Sequence, residues 1–436
     1  MQLRDFRTLV SRNIGNIAVP SRFRAAPPLS ATTPTTFDHT TLFSEAQQSI
    51  IRLVEMVIVR ACTARASDVH LDPNAENVRV RFRIDGVLQD TYVLPIALQS
   101  EIISRIKILS GLRIDEHFCA QDGRFGLVLP SGVSIDVRVS VVPTYYGENA
   151  VLRLLGESVE TFTLESLGFT IENRAKIMHA LARPYGMILT TGPTGSGKTT
   201  TMYTMLKMLN QPGCSIVTLE DPIEYSIPGV SQIQINSKSG LTFSNGLRSI
   251  LRQDPNVIMV GEIRDEETAG LAVNTALTGH RILSTLHTND AATTIPRLLD
   301  MGVEPYLIAS TVSLAIGQRL VRRLCEACKC AHVLSESEIT SLRTLVSDEL
   351  LESRAEFFVG VGCEMCLGTG FLGRAGIYEV MPIEGVVRDA ILERLPAHEV
   401  RLAAIREGMV PILSDGLEKA RMGITSIEEI IRIRYE

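Results

Sequence analysis

Ile50, Ile51, Val54, Val57, Ile58 and Ala61 recur at helical spacing behind Ser44-Glu-Ala-Gln47, which has the spacing of a capping box, so a helix is predicted here. The period then changes. From Asp68 to Leu155 short alternating runs such as Val78 to Arg83 and Ser134 to Val139 predict strands, with turn signals at Asp85-Gly86, Asp122-Gly123 and Ser131-Gly132. An apolar helix from Glu101 to Leu109 interrupts them, and together they predict a small α+β domain ending near Glu157. Beyond it the apolar runs are continuous: Met187 to Thr191, Cys214 to Leu219, Val257 to Val260 and Ile282 to Leu286. Runs of that kind predict strands buried on both faces of an α/β sheet. From Val386 to Arg434 the pattern returns to short amphipathic helices.

The run Met187 to Thr191 leads into Gly192, Pro193, Thr194, Gly195, Ser196, Gly197, Lys198, Thr199 and Thr200, which fit the phosphate-loop pattern G-x-x-x-x-G-K-[ST]. Met202, Met205, Leu206 and Leu209 follow at helical spacing, giving strand, glycine loop, helix. The three glycines let backbone N–H groups curl around an anion at a helix N-terminus. Lys198 is placed to reach the β and γ phosphates of ATP, and the Thr199 hydroxyl to ligate Mg²⁺.

Acids at the ends of neighbouring strands belong to the same chemistry, because the carboxyl ends of an open α/β sheet converge on the ligand. Glu220 ends the second run and is assigned to Mg²⁺ or water. The third closes on Gly261-Glu262, with glycine where an aspartate is usual, so Glu262 is assigned as the base that orients water. His280 and His287 bracket the fourth strand and are candidates to sense a γ-phosphate.

At 436 residues the chain allows two or three domains with full cores. Its net charge of −6 argues against a generic nucleic-acid binder. No run approaches the ~18 apolar residues of a membrane span, and no signal-peptide core is seen, so a cytoplasmic protein is expected. Met1 to Arg24, with Arg4, Arg7, Arg12, Arg22 and Arg24 against Asp5, reads as a basic arm, and Ala25 to Thr41 as a flexible linker. Of eight cysteines, Cys325-Glu-Ala-Cys328 and Cys363-Glu-Met-Cys366 form two pairs suited to a tetrahedral Zn²⁺ site; a redox dithiol is the alternative. Cys330 is an alternative ligand to Cys328.

Taken in order, these residues resemble the ATPases of type II secretion systems and type IV pilus assembly. The resemblance runs from about Ser67 to Arg434. It rests on Ala66-Ser-Asp-Val-His-Leu, Arg81-Phe-Arg-Ile-Asp-Gly86, Gln121-Asp-Gly-Arg124 and the phosphate loop, then on Leu219 to Glu224, Leu247 to Pro255, Gly261 to Asp265 and Thr278 to Asp290. It implies a homohexameric ring acting on an inner-membrane platform protein, with a membrane-docking protein as further partner and no nucleic acid. The implied fold is a RecA-like core with a smaller PAS-like α+β domain, a zinc-binding insertion and a helical C-terminal region. The boundaries are an arm at 1–42, then 43–157, 158–317, 318–378 and 379–436. In that family Glu262 acts as catalytic glutamate, Glu220 belongs to an acidic box, and His280 and His287 to a histidine box. Arg81, Arg83, Arg248 and Arg252 face phosphates as fingers in cis or in trans. The tetracysteine insertion resembles that of extension or secretion motors. Asn256 departs from a usual aspartate, and the N-terminal docking domain typical of secretion members is expected to be either lacking or reduced to the arm.

Overall fold

The computed structural model describes residues 49–156, 162–334 and 357–434. The arm at 1–42 and the motif Ser44 to Gln47 lie outside these residues. Helix α1 (Ile50–Thr63) buries Leu53, Val54, Val57, Ile58 and Ala61, as its period predicts. The alternating runs form β1 (Ala66–Pro73), β2 (Asn77–Ile84), β3 (Val87–Pro95), β4 (Gln121–Val128), β5 (Ser134–Thr144) and β6 (Gly147–Gly156). They pair in the order β3-β2-β1-β6-β5-β4, antiparallel throughout. Alternation puts Val69, Leu71, Val80, Phe82, Val137, Val139 and Leu152 in the core, and α1 and α2 (Gln99–Leu109) supply further buried residues.

The continuous apolar runs form a second sheet of seven strands in the order β15-β12-β7-β11-β10-β8-β9. Its members are β7 (Gly186–Thr191), β8 (Ile216–Glu220), β9 (Ser231–Gln234), β10 (Val257–Val260), β11 (Arg281–Leu286), β12 (Val312–Leu324) and β15 (Phe371–Pro382). All pairs are parallel except β12 with β15. Between and beside these strands lie α3 (Ile171–Ala182), α4 (Lys198–Leu209), α5 (Phe243–Ile250), α6 (Glu266–Leu277), α7 (Thr294–Asp300) and α8 (Pro305–Thr311). One buried cluster joins Met187, Leu189, Val260 and Leu286 to Ala272 and Val273 of α6; another joins Ile188, Met259 and Leu283 to Met202 and Leu206 of α4. Adjacent residues of one strand thus serve opposite faces, which is why each run is apolar without alternation. Among the described residues no helix is long and apolar enough to cross a membrane.

One expected boundary moves. Strand β12 runs unbroken through residue 317 to Leu324, paired with β7 on one side over Val312 to Gly317 and with β15 on the other from Leu314 to Leu324. Residues 318–324 and 371–378 therefore belong to the central sheet, and the segment leaving it is bounded by Cys325 and Gly370. Within that segment β13 (Lys329–His332) pairs with β14 (Phe357–Gly360). The tail forms α9 (Gly385–Leu392), α10 (Ala397–Arg406), α11 (Ile412–Arg421) and α12 (Ile427–Arg434), as its amphipathic pattern predicts.

Candidate functional site: a phosphate loop at the carboxyl ends of four parallel strands

Strand β7 delivers the chain to Gly192, and α4 begins at Lys198 behind Gly197, whose φ of +86° no larger residue adopts cheaply. A Cβ on Gly192 would come within 2.4 Å of the Gln318 carbonyl, so the loop needs glycine for space as well as for conformation. Lys198 is 8 % exposed and donates to the Gly192 and Pro193 carbonyls at 2.8 and 3.0 Å. Burial pushes its ammonium down to about 8, with nearby Glu262 opposing the shift and Arg319 adding to it. Ser196 Oγ is buried with no hydrogen-bond partner, a polar atom inside the loop available to a ligand. Thr199 is exposed at the first turn of α4. The loop therefore fits a phosphate chain and its cation.

Two further strand ends reach this loop. Gly261 ends β10 so close to β8 that a Cβ there would lie 3.0 Å from the Leu219 carbonyl. That contact accounts for glycine at this position, and Glu262 is the next residue. Glu262 Oε1 lies 2.5 Å from Arg264 and Oε2 lies 2.9 Å from His287 Nε2. Burial raises its pKa, but the hydrogen bonds from Arg264 and His287 outweigh it and hold the carboxyl below the usual range. The Thr191 hydroxyl donates to the Thr288 carbonyl at 2.9 Å and accepts from Thr288 N–H at 3.1 Å, tying the His287 segment to the start of the phosphate loop.

The two histidines part company. His287 follows β11 and touches Glu262, whereas His280 precedes β11, bonding the Thr275 carbonyl at 3.2 Å through Nδ1. A six-residue strand separates them by roughly 20 Å. β11 thus brings His287 to Glu262 beside the loop and leaves His280 at the opposite end of the strand. Glu220 is 3 % exposed at the end of β8 and accepts from the Tyr203 hydroxyl, from Thr218 Oγ1 at 2.5 Å and from Gln232 Nε2 at 3.1 Å. Its carboxylate is held by the chain's own donors.

The arginines are sorted by the sheet. Arg81 is tied to Asp72 at 2.7 Å, and Arg83 lies 3.5 Å from Asp68 and donates to the Gly86 carbonyl. Cross-strand register aligns Arg83, Asp68, Arg153, Arg138 and Arg124 in one row. Like charges opposite one another destabilise a sheet unless something neutralises them, so such a row with a single aspartate suits an anion. From this row Arg138 crosses to the other sheet's connection, donating to the Ile223 carbonyl at 2.7 Å and reaching Glu224 at 3.3 Å. Arg153 was not singled out from sequence, because register across non-consecutive strands is invisible there. Arg248 pairs with Glu267 at 2.5 Å and Arg252 donates to the Arg248 carbonyl at 3.1 Å, both on the exposed surface of the core.

The four cysteines converge. Cys325, Cys328, Cys363 and Cys366 offer sulfurs within 4.8 Å of one another, with Sγ–Sγ distances of 3.7 Å for Cys325–Cys363, 3.8 Å for Cys328–Cys366 and 3.7 Å for Cys363–Cys366. A tetrahedron with Zn–S near 2.3 Å has edges of about 3.75 Å, so the set fits zinc. Burial raises the Cys366 thiol, but N–H donors from Cys363 and Gly370 outweigh it and keep it below its usual range, favouring thiolate. Cys330 sits exposed on β13, outside the cluster, to which Cys328 belongs. Gly360 and Gly370 face each other so closely that a Cβ on either would strike the other's carbonyl.

The family model described as Type II/IV secretion system protein matches residues 44–432. A type IV pilus assembly ATPase of Myxococcus xanthus is 44 % identical over 88 % of this chain and 67 % of its own length. The type II secretion system protein E of Xanthomonas campestris is 46 % identical over 90 % of this chain and 68 % of its own. In a Thermus thermophilus pilus assembly ATPase, 44 % identical, the chain spans only 42 % of the relative's length. Among solved structures, the pilus retraction motor PilT with bound ADP superposes with a TM-score of 0.59 at 25 % identity, covering 87 % of this chain and 96 % of that one. The Legionella pneumophila ATPase DotB shares the fold with a TM-score of 0.62 at 23 % identity, covering 87 % and 94 %. With the family model spanning nearly all of the described residues, the chain belongs to the Type II/IV secretion system protein family.

Proposed function

We propose that the chain is an ATP hydrolase whose turnover powers type IV pilus assembly or type II secretion. The observation that carries this is the meeting of Lys198, Glu262 and His287 at the carboxyl ends of β7, β10 and β11. The backbone of Gly192 to Thr200 and Lys198 bind the phosphates, and Thr199 holds Mg²⁺, which when bound neutralises charge on the β and γ oxygens. Glu262 orients the attacking water, and His287 holds one of its oxygens. Glu220 sits beside the same strand ends as the acidic-box residue.

The arginine row on the six-stranded sheet is the movable half of a clamp. Arg81, Arg83, Arg138 and Arg153 there, and Arg248 and Arg252 on the core, supply guanidinium groups to phosphates of the same chain or of a neighbour in a homohexamer. His280, at the opposite end of β11 from the loop, is the second member of the histidine box. The four thiolates hold a structural Zn²⁺. Partners are an inner-membrane platform protein and a membrane-docking protein, which place the assembly at the membrane's cytoplasmic face, and nucleic acid is not among them. Phosphate release by the purified assembly tests the reading: Lys198→Ala and Glu262→Gln each lower it by at least about a hundredfold, and undiminished turnover in either overturns the site.

A further inference from the structure

We propose that Gln318 is a positioning residue of the phosphate loop, clamping it to β12 from both sides of Lys198. The proposal rests on the loop being the nucleotide site. Gln318 is 1 % exposed. Its Nε2 donates to the Ser196 carbonyl at 2.7 Å, and its Oε1 accepts from Thr201 Oγ1 at 2.8 Å. One amide therefore binds the loop two residues before Lys198 and the helix three residues after it. The fit is close at two glycines: a Cβ on Gly197 would lie 2.8 Å from Gln318 Nε2, and a Cβ on Gly192 2.4 Å from the Gln318 carbonyl. A buried amide with both ends used fixes the geometry of a loop that has to present its N–H groups to phosphate before the ligand arrives.

Without the clamp, ordering the loop falls to the nucleotide, so affinity drops more than the chemical step does. In Gln318→Met, which keeps the volume and loses both bonds, the Kd for a fluorescent ATP analogue with Mg²⁺ rises about tenfold, while kcat at saturation changes by less than about threefold. Thr201→Val raises Kd by less, and Thr201→Ser, which keeps the hydroxyl, restores it. The pair Gln318→Met with Thr201→Val is no worse than Gln318→Met alone, because the two residues share one bond. A wild-type Kd in Gln318→Met with only its Tm lowered, or additive effects in the pair, overturns the proposal. If Gln318→Met does not fold, equal Kd values for Thr201→Val and Thr201→Ser overturn it. Lys198→Ala separates the two levels: lost binding in that variant beside wild-type Kd in the clamp variants removes only the role of Gln318, whereas binding unchanged in Lys198→Ala removes the loop itself.

Discussion

His287 Nε2 lies 2.9 Å from one oxygen of Glu262 while Arg264 lies 2.5 Å from the other. Both carboxylate oxygens are engaged, so the residue assigned to orient water is held ionised and fixed in direction. In Glu262→Gln the shape is kept and the proton acceptor is lost. Turnover falls by about 10²- to 10³-fold, and the Kd for ATP changes by less than about threefold. Single-turnover phosphate release beside equilibrium binding measures both.

The separation of His280 from His287 by β11 gives a second expectation. His287→Ala lowers kcat at least about tenfold through loss of its bond to Glu262. His280→Ala leaves nucleotide affinity unchanged. Paired titrations and kinetics on the two variants decide it, and equal losses of affinity in both would place His280 at the bound phosphates after all.

Lys198 supplies a pH dependence. Burial holds its ammonium down at about 8, so below that pH it is charged in the free protein. Phosphate favours the charged form and raises the pKa on binding. Above about pH 8 binding therefore takes up a proton, and Kd increases with pH toward about tenfold per unit, whereas below it the profile is flat. Lys198→Arg keeps its charge, so its slope is shallower over pH 8 to 10. The two profiles, followed by fluorescence titration, check the sign.

For the metal, the sulfur tetrahedron predicts about one zinc per chain. Metal analysis of Cys363→Ser shows that content lost, and Cys330→Ser retains it, since Cys330 is outside the cluster. Removal of the metal by a strong chelator lowers Tm by several degrees, because four buried or half-buried thiols lose the centre that joins them. β12 carries this site directly: Arg322, two residues before Leu324, is clamped by Glu429 at 2.7 Å and lies over the Phe371 ring.

The sequence alone determined the local elements and the chemistry that rides on contiguous residues. The glycine loop, the acids at strand ends, the two cysteine pairs and the change from alternating to continuous apolar runs are all written within a few residues of one another. Their physical causes, backbone freedom, metal-ligand spacing and the period of burial, act over that same range. What the tertiary structure decided depends on pairing between distant strands. It alone aligns Arg124, Arg138, Arg153 and Arg83 in one row, because register is a relation between strands. It alone makes β12 part of the central sheet, where Gln318, an ordinary residue of an apolar run, comes against the back of the phosphate loop.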